Sequence, residues 1–152
     1  SKRSNLPGLR SGFVASGPQT IARIRLLRSY AGAPLPLPIQ RVSERVWDDE
    51  AHVIENRALY AEKYRIAEEV FGGMQGFKLP DGGFFLWLPV ADGEAAAVKL
   101  WQETGVRVLP GAYLAREVDG FNPGKGYIRV ALVAPRDETK QGLIRLRDCL
   151  FS

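Results

Sequence analysis

The sequence holds one cysteine, one histidine and one methionine, and its first forty residues carry no acidic side chain. The single cysteine, Cys149, excludes an intramolecular disulfide framework and fits a reducing compartment. The single histidine, His52, excludes a histidine-rich metal site within the chain. No apolar run reaches the roughly 18 residues that a membrane-spanning helix requires, and the first residues lack the pattern of a secretory signal. A cytoplasmic protein without membrane or metal is therefore expected.

The missing acids leave a one-sided block of charge. Lys2, Arg3, Arg10, Arg23, Arg25 and Arg28 give residues 1–40 a charge of +6, whereas residues 41–152 sum to −2 and the whole chain to +4. Such a block points to an anionic partner: nucleic acid, a phosphate or an acidic small molecule. The rest of the composition is ordinary. With 152 residues, 45% hydrophobic and 25% charged, the chain can bury a core as one domain or two small ones.

Proline and glycine punctuate the first half. Ser4-Asn5-Leu6-Pro7-Gly8-Leu9 is turn-rich, Gly12 to Ser16 is predicted as a short buried strand, and Gly17-Pro18 ends it. Ile21, Ile24, Leu26 and Leu27 share one side of a helix predicted from Gln19 to about Tyr30. Pro34, Pro36 and Pro38 then impose extended backbone, and Pro38 suits the first turn of a helix running to about Val46. Asp48, Asp49 and Glu50 favour the start of a longer helix, because carboxylates oppose the positive end of the dipole. Val53, Tyr60, Tyr64, Ala67 and Phe71 form its apolar stripe, and Gly72-Gly73 stops it.

The second half alternates. Strands are predicted at Phe84–Leu88, Val106–Leu109 and Tyr127–Val133, helices at Glu94–Thr104 and Asp137–Leu150, with Trp87 and Trp101 read as core. That order suggests a small two-layer α/β unit. Residues 1–45 hold one candidate strand and cannot make a sheet alone. Asn122-Pro123-Gly124-Lys125-Gly126 lacks the spacing of a phosphate loop and reads as a turn. His52 reads as a neighbour of a helix start and Cys149 as packing.

The chemistry-bearing residues lie at the two ends. In Ser1-Lys2-Arg3-Ser4-Asn5-Leu6-Pro7-Gly8-Leu9-Arg10-Ser11-Gly12 a lysine is followed, eight residues on, by an arginine before Ser-Gly. A desolvated lysine amine can condense with an aldehyde and shuttle a proton, and a guanidinium can grip phosphate oxygens with two parallel hydrogen bonds. The spacing alone equally describes a basic N-terminus in solvent. With the intervening Pro-Gly loop and Gly12-Phe13, the segment closely resembles the lysine segment of fold-type-I, class I/II aminotransferases, which depend on pyridoxal 5'-phosphate (PLP). Tyr127-Ile128-Arg129-Val130 resembles the strand that carries the family's substrate α-carboxylate arginine.

The resemblance implies that Lys2 is the catalytic, cofactor-linked lysine, Arg10 the cofactor-phosphate arginine and Arg129 the substrate-binding arginine, with no metal. It extends through Trp47–Val53, Glu55-Asn56-Arg57 and Tyr60, similar to the helix that joins the family's large and small domains. Gly83–Leu88, Val108–Leu114, Asp119–Gly124 and Ala131–Pro135 are most similar to bacterial N-succinyldiaminopimelate aminotransferases. The implied fold is α/β, the C-terminal part of a fold-type-I PLP-dependent transferase. Residues 1–46 are then the tail of the large domain, and residues 47–152 the interdomain helix with a small two-layer α/β domain.

The implied activity is exchange of an amino group between an amino acid and a 2-oxo acid, N-succinyl-LL-2,6-diaminopimelate and 2-oxoglutarate in the first place. The family's homodimeric assembly is implied with it. The family's upstream partners of the cofactor ring are not in this sequence, so the chain by itself is expected to be inactive. Other class I aminotransferases, acting on aspartate, alanine or aromatic amino acids, are the alternative. So is the aminotransferase-like sensor domain of a transcription regulator. A nucleic-acid-binding role for the basic block is disfavoured, because exposed aromatics do not interleave its arginines.

Overall fold

The computed structural model describes residues 3–152, which form an α/β structure dividing into two compact units, Ser1–Arg57 and Ala58–Ser152. Lys2 lies outside the described residues.

In the first unit, Gly17 and Pro18 open helix α1 (Pro18–Tyr30), with the proline in the first turn, where its missing N–H costs no hydrogen bond. Ile21 and Ile24 are half-buried, but Leu26 and Leu27 are exposed, so the side expected to be apolar is only partly covered. The Pro-rich link is extended to Pro36, and α2 (Leu37–Asp48) follows with Pro38 in its first turn. The expected buried strand at 12–16 is absent. Those residues are unpaired, with Phe13 71% and Val14 60% exposed. A strand is completed only by a neighbour that takes its backbone hydrogen bonds, and no described residue supplies one.

The break between α2 and α3 (Ala51–Phe71) falls at Asp49-Glu50, as the acids imply. Asp49 Oδ1 accepts the Ala51 N–H at 3.0 Å, and its other oxygen lies 2.9 Å from His52 Nδ1. The His52 hydrogen bond, followed by that of Ala51, holds the Asp49 carboxyl below its ordinary 3.8.

The second unit is a three-stranded antiparallel sheet in the order β1-β3-β2, from β1 (Phe85–Pro89), β2 (Leu109–Pro110) and β3 (Tyr127–Ala131). Helices α4 (Gly93–Thr104) and α5 (Arg136–Leu150) and the later turns of α3 supply the rest of its core. Ile66, Ala67 and Phe71 from α3, Leu100 from α4 and Leu143 and Leu146 from α5 pack with Leu86, Leu88, Ile128 and Val130 of the sheet. Burying each large side chain contributes about 1.5–3 kcal/mol against the entropy of ordering it.

Asp92 caps α4 by accepting the N–H groups of Glu94 and Ala95 at 3.0 and 2.9 Å, and Gly105 ends it in the left-handed region at φ +74°. The strand expected at 106–109 is reduced to Leu109–Pro110, since Val106 to Val108 make no ladder with β3. Trp87 and Trp101 are exposed rather than core. In β1 it is Leu86 and Leu88 that face inward, and strand alternation sends Trp87 to the other side.

Candidate active site

Alternation along β3 decides what the sheet offers to its surroundings. Ile128 and Val130 point into the core, so Tyr127, Arg129 and Ala131 occupy the opposite face. On β1, Trp87 stands directly across from Arg129 and Phe85 across from Ala131. This face therefore collects Phe85, Trp87, Tyr127 and Arg129. Trp87 and Tyr127 stack with ring centres 5.5 Å apart, and the Arg129 guanidinium lies 4.3 Å from the centre of the Phe85 ring.

A cation held over an aromatic face is oriented without being neutralised. Among the described residues no carboxylate forms an ion pair with Arg129. Its charge remains available to an anion, and a planar carboxylate matches the two parallel donors of the guanidinium.

The turn that delivers β3 is built by close backbone approach. Asn122 Oδ1 accepts the Gly124 N–H at 2.9 Å, and its Nδ2 donates to the Ala112 carbonyl at 3.2 Å. Gly111 and Gly124 meet so closely that a Cβ on either would collide with the other's carbonyl oxygen. Asn122–Gly126 is thus a turn, as its lack of phosphate-loop spacing implies, and its glycines serve packing.

In the first unit Arg10 follows the single 3-10 turn Pro7–Leu9 and adopts a left-handed φ of +49°. Its Nη1 donates to the Pro7 carbonyl at 2.9 Å, while the residue as a whole is exposed and in no ion pair among the described residues. The donor set suits a phosphate ester: an exposed guanidinium in a stretch of forty residues without one carboxylate to compete. Of the three residues singled out from the sequence, Arg10 belongs to the first unit, Arg129 to the second, and Lys2 to the undescribed pair.

Arg3 is a feature that sequence reasoning missed. Its guanidinium donates to the carbonyls of Val46 at 2.8 Å, Trp47 at 3.2 Å and Asp49 at 3.5 Å, forms an ion pair with Glu50, and lies 4.7 Å from the centre of a Trp47 ring. Two further contacts hold the same loop. Asn5 Nδ2 donates to Asn56 Oδ1 at 3.0 Å, and the hydroxyls of Ser43 and Ser11 are 2.7 Å apart. The signal available in the sequence was only a second cation beside Lys2.

Cys149 is half-buried against the core, with Sγ 3.4 Å from Glu103 Oε2. Desolvation first, then the Glu103 hydrogen bond and charge, push its thiol above the ordinary 9.0, which makes it a poor nucleophile. Among the described residues no group of His, Cys, Asp or Glu is arranged to hold a metal ion, and no helix is long and apolar enough to cross a membrane.

Comparison with known proteins gives one family. The model for aminotransferase class I and II matches residues 1–145. A 4-dedimethylamino-4-oxo-anhydrotetracycline transaminase of Streptomyces rimosus is 32% identical over 96% of this chain and 39% of its own length. An LL-diaminopimelate aminotransferase of Dehalococcoides mccartyi is 28% identical over 96% of this chain and 37% of its own. Among solved structures, an aminotransferase from Neisseria meningitidis is 44% identical with a TM-score of 0.87, over 97% of this chain and 38% of that one. A probable N-succinyldiaminopimelate aminotransferase from Thermus thermophilus is 28% identical with a TM-score of 0.80, over 98% and 40%. The chain thus spans about two-fifths of the length of the proteins it matches.

Proposed function

Because the chain belongs to the class I and II aminotransferase family, we propose that it is the C-terminal portion of a PLP-dependent transaminase that exchanges an amino group between an amino acid and a 2-oxo acid. When bound, the cofactor supplies a reactive aldehyde and a ring that accepts the electrons left at the substrate's Cα. Lys2 would be the residue that holds the cofactor, and its amine would take and return the proton at the substrate's Cα. Arg10 anchors the phosphate, and Arg129 orients the amino acid by its α-carboxylate.

The observation that carries this reading is the setting of Arg129, on the central strand of the sheet, seated on Phe85 and free of any described carboxylate. A fixed, un-neutralised arginine is the device that turns a carboxylate substrate into an oriented one. Residues 1–46 are read as the tail of the large domain and 47–152 as the interdomain helix with the small domain. The full-length protein is proposed to be a cytoplasmic homodimer without nucleic-acid or membrane partners.

For the substrate, we infer N-succinyl-LL-2,6-diaminopimelate with 2-oxoglutarate. The wording of the 108–114, 119–124 and 131–135 loops and the diaminopimelate names among the relatives support it. Borohydride reduction of the full-length protein with PLP should leave a pyridoxyl mass on Lys2, and the same mass on another lysine would overturn the assignment. Ranking amino donors by kcat/KM tests the substrate: aspartate, alanine or an aromatic amino acid outrunning the succinylated diamine replaces it with another class I activity.

A further inference from the structure

We propose that Tyr60 on α3 is a positioning residue for Arg129, acting through a run of packed rings, a role that rests on the reading of Arg129 given above. The Arg129 guanidinium lies over Phe85, whose ring centre is 4.2 Å from that of Phe84. Phe84 in turn stacks on Tyr60, with ring centres 5.5 Å apart and 26° between the planes. Lys63, three residues along the same side of α3, holds its ammonium 5.3 Å from the centre of the Tyr60 ring. Three half-buried rings thus stand between two cations, and all five residues belong to the second unit.

Hydrogen bonds clamp the same run. The Leu132 N–H donates to the Phe84 carbonyl at 2.8 Å, and the Lys63 ammonium donates to the Leu132 carbonyl at 3.0 Å. The Tyr64 hydroxyl donates to the Gly82 carbonyl at 3.0 Å. Helix α3 therefore grips the residues that enter β1 and those that leave β3, beside the rungs that pair Phe85 with Ala131 and Trp87 with Arg129. Tilted and offset ring pairs are favourable beyond the apolar area they bury. Phe85 cannot turn away from Arg129 without leaving Phe84, and Phe84 cannot follow it without leaving Tyr60. The direction of the Arg129 guanidinium is thereby set from α3 as well as from the strand that bears it.

The test uses the full-length PLP-loaded protein with Tyr60→Leu, Tyr60→Met, Tyr60→Phe and Arg129→Met. An amino acid and a 2-oxo acid both present an α-carboxylate, so a misdirected Arg129 weakens both. Tyr60→Leu is expected to raise the KM of donor and acceptor by the same factor, about threefold, with kcat within about twofold of the parent. Tyr60→Phe keeps the ring and restores both KM values. In an Arg129→Met background Tyr60→Leu should change neither KM further, because residues that act through one contact are not additive. Parent KM values in Tyr60→Leu overturn the inference, as does a rise for one substrate alone or an effect that persists without Arg129. Should Tyr60→Leu fail to fold, Tyr60→Met, whose flexible chain fills irregular gaps, is read in its place. Arg129→Met separates the two levels. A large loss there with unmoved Tyr60 variants sinks only the positioning role, whereas parent KM values in Arg129→Met sink the Arg129 reading and take Tyr60 with it.

Discussion

Arg129 and Phe85 are joined across the β1–β3 ladder by a contact of 4.3 Å between guanidinium carbon and ring centre. The ring fixes the direction of the cation while leaving its charge to be used. In the full-length enzyme Phe85→Leu keeps the apolar volume but removes the π face, worth about 0.5–1 kcal/mol at an exposed site. The expected result is a two- to fivefold rise in amino-acid KM, roughly, with little change in kcat. If Arg129 has the proposed carboxylate-binding role, Arg129→Met should cost on the order of a hundredfold in kcat/KM. Equal losses in both variants would show that the ring does more than orient.

Gly111 and Gly124 leave no room for a methyl group between their backbones. Gly124→Ala must displace the turn that feeds β3, a backbone shift of the kind that costs about 1–3 kcal/mol. Thermal unfolding should show a Tm lowered by several degrees. Gly142→Ala, where nothing lies near the added carbon, is the control and should leave Tm level or raised.

Asp92 gives the cleanest local stability test. Asp92→Ala strips two hydrogen bonds from the start of α4 and should destabilise by about 1 kcal/mol, whereas Asp92→Asn should recover most of it. Denaturant midpoints measured at constant m-value check both.

Asp49 makes a pH prediction. Its folded carboxyl titrates below the ordinary 3.8, so the unfolded chain binds the proton more readily than the folded one. The contribution to stability is therefore complete above pH 3.8 and is lost as the pH falls through the lower, folded value. Asp49→Asn should flatten that part of the acid limb in a plot of unfolding free energy against pH. An unchanged acid limb would place the acid sensitivity elsewhere.

The 152-residue chain by itself is expected to show no stable visible absorbance from lysine-bound PLP, because it spans only about two-fifths of its relatives' length. A strong band from the isolated chain would show that Lys2 and Arg10 suffice to hold the cofactor.

Local punctuation made the helices readable. Pro18 and Pro38 opened α1 and α2, three acids marked the break before α3, and Gly72 and Gly105 follow the ends of α3 and α4. What failed were features decided by distant partners. Residues 12–16 have strand composition, yet a strand exists only where another chain segment accepts its hydrogen bonds. Phe84-Phe85-Leu86-Trp87-Leu88 is apolar throughout, so no alternation in the sequence could say that Leu86 and Leu88 point inward and Trp87 outward. Arg10 and Arg129 stood out through the wording around them. Arg3 did not, because apart from the adjacent Ser4 hydroxyl its acceptors lie 43 to 47 residues away, and three of them are backbone carbonyls.

The strand order β1-β3-β2 places the last strand of the chain in the middle of the sheet. Until residues 127–131 have emerged during synthesis, β1 and β2 have no neighbour to pair with, and the apolar side chains of Leu86 and Leu88 lack Ile128 and Val130. The second unit therefore closes late, once the strand that carries Arg129 and then α5, with Leu143 and Leu146, are both available.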